Sequence, residues 1–331
     1  MITVPTLLST EGVEAKESVP KAWWNHVKIS QRVVKSVKQQ HGQRPGVTDV
    51  VRRSGPRTIQ GYNKKQVVVE VDPEKSKRIP AEPDAPNGPI PNEMSGVKIK
   101  TAEAPDLTQR GCRCVGYFNN VPGGTGVFSD YARNKGTCIS MKYNGSKKLL
   151  TAGHVAGCSS DNFFSDPNEN NRIGPTETVN SRLDFAIIED GNRRYVDDAI
   201  RYPSGNRIPL KGWVSSQGVE TFDENGTQMK SVGAESGFNT NGIKNYYRSP
   251  NLSCSNHNRG VDVHIDGGDG DSGGPIFHTN NDKAFLLAIH QYGYNGIAGR
   301  YGCTGQPITN WSGGAAAWYV QNNTPINFDI A

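Results

Sequence analysis

Residues 268–275 read Gly268-Asp269-Gly270-Asp271-Ser272-Gly273-Gly274-Pro275, and the apolar pair Ile276-Phe277 follows. Glycine admits backbone conformations and close contacts that a Cβ forbids, so a serine set among glycines marks a loop built for close approach. Such a loop lets backbone N–H groups converge on one developing negative charge. Losing one donor of that kind costs about 2.7–4 kcal/mol of transition-state stabilisation. A serine hydroxyl is a poor nucleophile at neutral pH and needs a base beside it to take its proton.

Two other stretches supply the complementary groups. Leu149-Leu150-Thr151-Ala152-Gly153-His154 is an apolar strand that delivers a histidine at its end. Leu183-Asp184-Phe185-Ala186-Ile187-Ile188 sets an aspartate at the mouth of another. Imidazole titrates near neutrality and suits a proton shuttle. A carboxylate on its second ring nitrogen fixes the tautomer and stabilises the imidazolium. Taken singly these two are weak signals: a histidine after a strand is more often a core or surface residue, and Asp184 could cap a strand end. The order His, Asp, Ser with the glycine loop is much stronger.

The surroundings are β-rich. From about residue 110 the chain alternates short apolar runs with Gly, Asn and Asp, as at Gly126–Phe128, Thr137–Tyr143, Lys148–Ala152, Phe185–Glu189, Val261–Ile265, Pro275–His278 and Ala284–Ile289. That spacing predicts antiparallel barrels or sandwiches rather than βαβ units. The first third differs. The spacing of Trp23, Val27, Val33, Val34 and Val37 predicts a helix over 21–40, with Lys21, Lys28, Arg32, Lys35 and Lys38 interleaved and Gly42 past its end. Its stripe is expected to pack on its own domain, its lysines being solvated. Strands are expected at Val47–Arg52, Gln66–Val71 and Gly96–Thr101, with a proline-rich stretch over 79–92 and a second hinge at Ala104-Pro105. A domain boundary is therefore expected near 105, giving 1–105 as a basic α+β region and 106–331 as the β domain.

The 331 residues are 34% hydrophobic and 8% aromatic, enough for a real core. No apolar run is long enough to span a bilayer as a helix. Residues 1–110 carry 18 Lys/Arg against 12 Asp/Glu, so the basic excess belongs to that region alone. The N-terminus shows no classical signal peptide. Cysteines stand at 112, 114, 138, 158, 254 and 303. An even set in one β-rich region points to disulfides and an oxidising or extracellular location.

The motifs Thr151-Ala152-Gly153-His154, Leu183–Ile188 and Gly270–Pro275 resemble those of the chymotrypsin-like serine peptidases, across roughly residues 110–325. The resemblance implies two antiparallel six-stranded β-barrels with the active site between them. It implies serine endopeptidase activity on polypeptides through an acyl-enzyme. His154 would be the general base, Asp184 its orienting carboxylate and Ser272 the nucleophile. Gly270 and Ser272 N–H groups would form the oxyanion hole, and Asp271 would shape the loop. A bridge between Cys138 and Cys158 would resemble the family's bridge around the histidine, and Cys254 with Cys303 could join the pocket walls. Cys112 and Cys114 have no assigned partners.

Specificity has two readings. Asp266 stands where trypsin-like enzymes carry the aspartate that binds Arg or Lys. His290, in Ala288-Ile289-His290-Gln291-Tyr292-Gly293, resembles the histidine with which bacterial glutamyl endopeptidases bind an acidic side chain, and Gly293 would lie on the same pocket-wall strand. The sequence departs from the family in lacking an I-V-G-G activation segment; Val121-Pro122-Gly123-Gly124 is only superficially similar. Residues 1–105 are expected to act as a propeptide or folding aid, making the chain a zymogen. No cofactor or metal is expected, nor a nucleic-acid partner, and a monomer is expected. The rival reading is a catalytically silent barrel protein with a basic tether.

Overall fold

The computed structural model describes residues 2–4, 8–9, 17–42, 44, 46–71, 88–103, 107–108, 120–130, 135–165, 171–189, 195–202, 205–250, 252, 254–294, 300–301 and 307–331. Helix α1 (Lys21–His41) starts after Pro20 and ends at Gly42, whose N–H donates to Lys38 O. Trp23, Val27, Ser30, Val34, Val37 and His41 repeat at spacings of three and four, and all are buried. Lys21, Lys28, Arg32 and Lys35 are exposed, as the interleaving predicts, but Lys38 is not solvated: it turns inward to pair with Asp49 at 3.1 Å and donates to Tyr247 O at 3.2 Å.

The buried stripe lies on strands β1 (Val47–Ile59), β2 (Tyr62–Val71) and β3 (Val97–Glu103). β1 and β2 pair antiparallel, and β2 and β3 pair parallel. Val67, Val69 and Val71 alternate inward from β2 against the helix. A two-residue strand, β4 (Leu107–Thr108), follows.

The first β domain is an eight-stranded antiparallel sheet. Its strands are β5 (Gly126–Ser129), β6 (Lys135–Thr137), β7 (Ile139–Tyr143), β8 (Ser146–Thr151), β9 (Asn162–Phe164), β10 (Arg172–Asn180) and β11 (Phe185–Ile188), closed by a C-terminal strand at Ile326–Asn327. The order is β6-β5-β9-β10-β11-β8-β7 and then that last strand. The second contains β12 (Arg207–Val214), β13 (Met229–Gly233), β14 (Gly237–Asn241), β15 (Ile243–Arg248), β16 (Gly260–Val263), β17 (Pro275–Asn280), β18 (Lys283–Tyr294) and β19 (Ser312–Ala316). Its main path runs β14-β13-β17-β18-β19-β16-β15 and continues through β1, β2 and β3. The chain is thus mostly β, in the chymotrypsin-like arrangement expected.

The N-terminal layer is joined to the second sheet by more than the Arg52–Tyr246 pairing of β1 with β15. One apolar core holds Trp23, Val27 and Val37 together with Tyr246, Val261, Val263 and Leu287. Beside it lies a buried ionic cluster. Arg248 on β15 donates to both carboxylate oxygens of Glu70 on β2, at 2.5 and 2.9 Å, and through Nε to Asp262 at 2.7 Å. Tyr292 Oη, on β18, donates to the other Asp262 oxygen at 2.9 Å.

The expected cysteine pairings require correction. Cys158 pairs with Cys254, with Cα atoms 5.6 Å apart, and Cys138 is a free, buried thiol. Cys138 faces the first core, with Sγ toward Pro122 O, so it cannot meet Cys158. Burial pushes its thiol up to about 12, which leaves it unreactive. Cys158 instead follows the short 3-10 turn Gly153–Ala156 and faces the loop between β15 and β16. With Cys254 so engaged, the Cys254–Cys303 pairing fails too. Cys112, Cys114 and Cys303, the 104–105 hinge and residues 79–87 lie outside the described residues.

Candidate active site

Strand β8 ends at Thr151, and the 3-10 turn that follows places His154 at the junction of the two sheets. Asp184 precedes β11, and β11 pairs directly with β8, so two neighbouring strand ends bring the histidine and aspartate together. His154 Nδ1 lies 2.9 Å from Asp184 Oδ2, and the His154 backbone N–H donates to Oδ1 at 2.8 Å. Nε2 lies 2.9 Å from Ser272 Oγ. Since a carboxylate only accepts, Nδ1 carries the proton and Nε2 is free to accept from the serine. Asp184 is fully buried, and that burial pushes its carboxyl up from the ordinary value; the charge and hydrogen bonds of His154 oppose the rise. His154 remains 11% exposed, so one ring edge reaches the cleft.

The serine loop is held from several sides. Asp271 Oδ1 accepts from Glu235 N and Ser236 N, and Oδ2 from Gly268 N. Thr137 Oγ1 donates to Gly270 O at 2.6 Å, and Thr137 N to Ser272 O at 2.7 Å. Gly273 has φ +88, and a Cβ there would fall 2.4 Å from Thr137 O, so no other residue fits. Gly273 N donates to His290 O at 2.6 Å and His290 N to Gly274 O, stitching the loop to β18.

The residues named for specificity divide. Asp266 and His290 line one cleft with Val232, Ser236, Asp271 and Ser312. Its free volume is about 10 Å3, room for one water. His290 Nε2 is buried without a hydrogen-bond partner among the described residues, and a Cβ at Gly267 would sit 3.2 Å from it. Burial pushes the His290 imidazole down from its ordinary value, against the opposing charge of Asp271. Gly293 lies instead on the free flank of β18, where β4 pairs with it antiparallel: Thr108 opposite Gly293 and Leu107 opposite Tyr294. Among the described residues no cluster of His, Cys, Asp and Glu could hold a metal ion, and no helix is long and apolar enough to cross a membrane.

Gln291 and His257 were not singled out from the sequence, yet both stand directly behind Asp184. The available signal was strand alternation: if His290 faces the cleft, its neighbour on β18 faces the opposite way, toward the aspartate.

No protein-family model matches this sequence, and no relative was found among curated proteins. Solved structures do match. A glutamic acid specific serine protease, described as using a histidine triad in substrate binding, superposes with TM-score 0.50 at 15% identity, over 63% of this chain and all of its own. Thermobifida fusca protease A gives TM-score 0.48 at 15% identity, over 64% of this chain and all of its own. Cellulomonas bogoriensis chymotrypsin gives 0.46 at 15%, over 63% and 98%. The fold is therefore that of the chymotrypsin-like serine proteases. More than a third of this chain lies outside the match.

Proposed function

We propose that the chain is a serine endopeptidase, and the observation that carries this reading is the continuous relay from Asp184 through His154 to Ser272 Oγ. In the proposed reaction His154 Nε2 takes the Oγ proton as the oxygen attacks the substrate carbonyl. The tetrahedral oxyanion is held by the N–H groups of Gly270 and Ser272. Collapse breaks the C–N bond, and the imidazolium hands its proton to the leaving amine. Water, deprotonated by the same imidazole, then releases the acid from the acyl-enzyme.

For specificity we favour Glu or Asp before the cleaved bond, on His290 Nε2: a buried nitrogen with no described partner is the group a substrate carboxylate would satisfy. The printed description of the glutamic acid specific protease points the same way. The second reading, Arg or Lys, rests on Asp266 in the same cleft. Residues 1–105 are read as a folding aid that stays in the catalytic sheet, on the strength of the shared core. The Cys158–Cys254 bridge supports an oxidising or extracellular location.

The test is labelling by a fluorophosphonate. Wild type is expected to label stoichiometrically, and Ser272→Ala not at all. A folded wild type that fails to label would favour the silent barrel protein.

A further inference from the structure

Behind the relay, Gln291 sits fully buried with its side-chain amide against the backbone of the Asp184 turn. Its Nε2 lies 2.5 Å from Leu183 O and 3.0 Å from Asp184 O. Carbonyl oxygens only accept, so the amide orientation is fixed: the nitrogen faces the two carbonyls and Oε1 faces away. Oε1 lies 3.3 Å from His257 Nε2, which must therefore carry its proton. His257 Nδ1 in turn accepts from Arg259 N at 3.3 Å. The ring is buried and stays neutral, its pKa lowered to about 4 by that burial. The chain of donors runs one way, from Arg259 N–H through His257 to Gln291 and into the Asp184 turn.

That turn needs support. Asp184 has φ +52, a left-handed conformation that strains a non-glycine residue and persists only where the surroundings hold it. The loop carrying His257 is fastened to the same turn by Asn256 N donating to Arg182 O, and by the Leu183–Ser255 bridge. Cys254 ties that loop to Cys158, whose N–H donates to Gly153 O beside His154.

We propose that Gln291 is the positioning residue of the relay: by donating to both carbonyls it holds the Asp184 backbone in its left-handed turn and so aims the carboxylate at His154, with His257 bracing the amide from its oxygen. This deepens the peptidase reading and rests on it. Gln291 touches neither substrate nor reacting atoms. Its loss is expected to act through the angle of the carboxylate, not through binding.

The test uses full-length Gln291→Met, which keeps the volume and removes both donors, and His257→Ala, which removes the ring that braces Oε1. Rates are normalised to the active-site concentration found by fluorophosphonate titration. Misplacement of a catalytic group by about 1 Å costs on the order of 10²-fold, so kcat of Gln291→Met is expected to fall about 100-fold with KM within about threefold. A carboxylate moved away from the imidazole no longer favours imidazolium, so the acid limb of kcat/KM shifts to lower pH. His257→Ala should shift the limb the same way with a smaller fall in kcat. A purely structural role would lower the titrated fraction and the melting temperature without moving the limb. An unmoved limb in Gln291→Met, or in His257→Ala if the first fails to fold, overturns the proposal. A second readout is independent of turnover: the downfield proton resonance of His154 Nδ1–H in wild type is expected to move upfield or vanish in either variant. A resonance that persists unchanged in the folded variants also overturns it. Failure of wild type to label would sink the peptidase reading while leaving this resonance test intact.

Discussion

At the scale of residues, His290 and Asp266 offer opposite charges to one cleft, and two substitutions separate them. On the proposed function, burial disfavours the charged form of the His290 imidazole before substrate binds. A glutamate side chain stays ionised well above its ordinary pKa of about 4.3 and would bind the protonated ring best. Substrate binding then takes up a proton, so KM for a Glu substrate is expected to fall as pH drops from about 8 to about 5.5, while KM for the matching Gln substrate stays flat. His290→Ala should abolish the difference and Asp266→Asn preserve it. Loss of cleavage after Arg and Lys in Asp266→Asn, with no Glu preference in wild type, would reverse the assignment. The sequence declared these residues unevenly. Ser272, His154 and Asp184 stand in local motifs, because a nucleophile loop and two strand ends leave a contiguous mark. Gln291 acts through backbone carbonyls 107 and 108 residues away, and His257 through a side chain 34 residues away, and such contacts leave no pattern in any window.

At the scale of elements, helix α1 and the β strands follow directly from spacing, and their boundaries differ from expectation mainly by extension. β1 runs on to Ile59 and β18 to Tyr294, because pairing continues past the apolar residues that signal a strand. What spacing could not show is that β1, β2 and β3 extend the catalytic sheet. That attachment is made by Glu70, Arg248 and Asp262, polar residues whose partners lie far away in sequence. Each looks like a surface charge in isolation, yet all three are buried. Removing Glu70 takes two of the Arg248 hydrogen bonds and leaves Asp262 as a carboxylate partner, so the cost of about 3–5 kcal/mol for breaking a buried pair is an upper bound. Glu70→Ala is therefore expected to lower unfolding free energy by up to that amount in urea titration, with labelling of Ser272 retained at low denaturant. A loss under about 1 kcal/mol would mean that the remaining Asp262 compensates Arg248.

At the scale of the whole molecule, the disulfide braces the first sheet against the second, and the ionic cluster braces the N-terminal layer against the second. Cys158–Cys254 joins the histidine loop of the first sheet to the second across 96 residues. Closing a loop of that order stabilises by about 4–5 kcal/mol on the chain-entropy model. The ionic cluster fixes β18 from behind through Tyr292 and Asp262, so the strand that carries His290, Gln291 and Gly293 is clamped to both the first sheet and the N-terminal layer.

The little strand β4 gives that arrangement a further consequence. It lies antiparallel on β18 at Gly293, on the strand that the family resemblance makes the wall of the substrate pocket. A segment of the same chain meets its partner strand intramolecularly, so on the proposed function an incoming peptide would compete with the chain's own backbone. Apparent KM then contains the closing equilibrium of β4, and kcat does not. Replacing Leu107 and Thr108 by proline removes their backbone donors and is expected to lower KM severalfold at constant kcat. An unchanged KM would show that β4 yields freely. If KM falls, then on the proposed function only peptides long enough to outbid two residues of self-pairing reach Ser272 efficiently, and length is measured before the side chain is read.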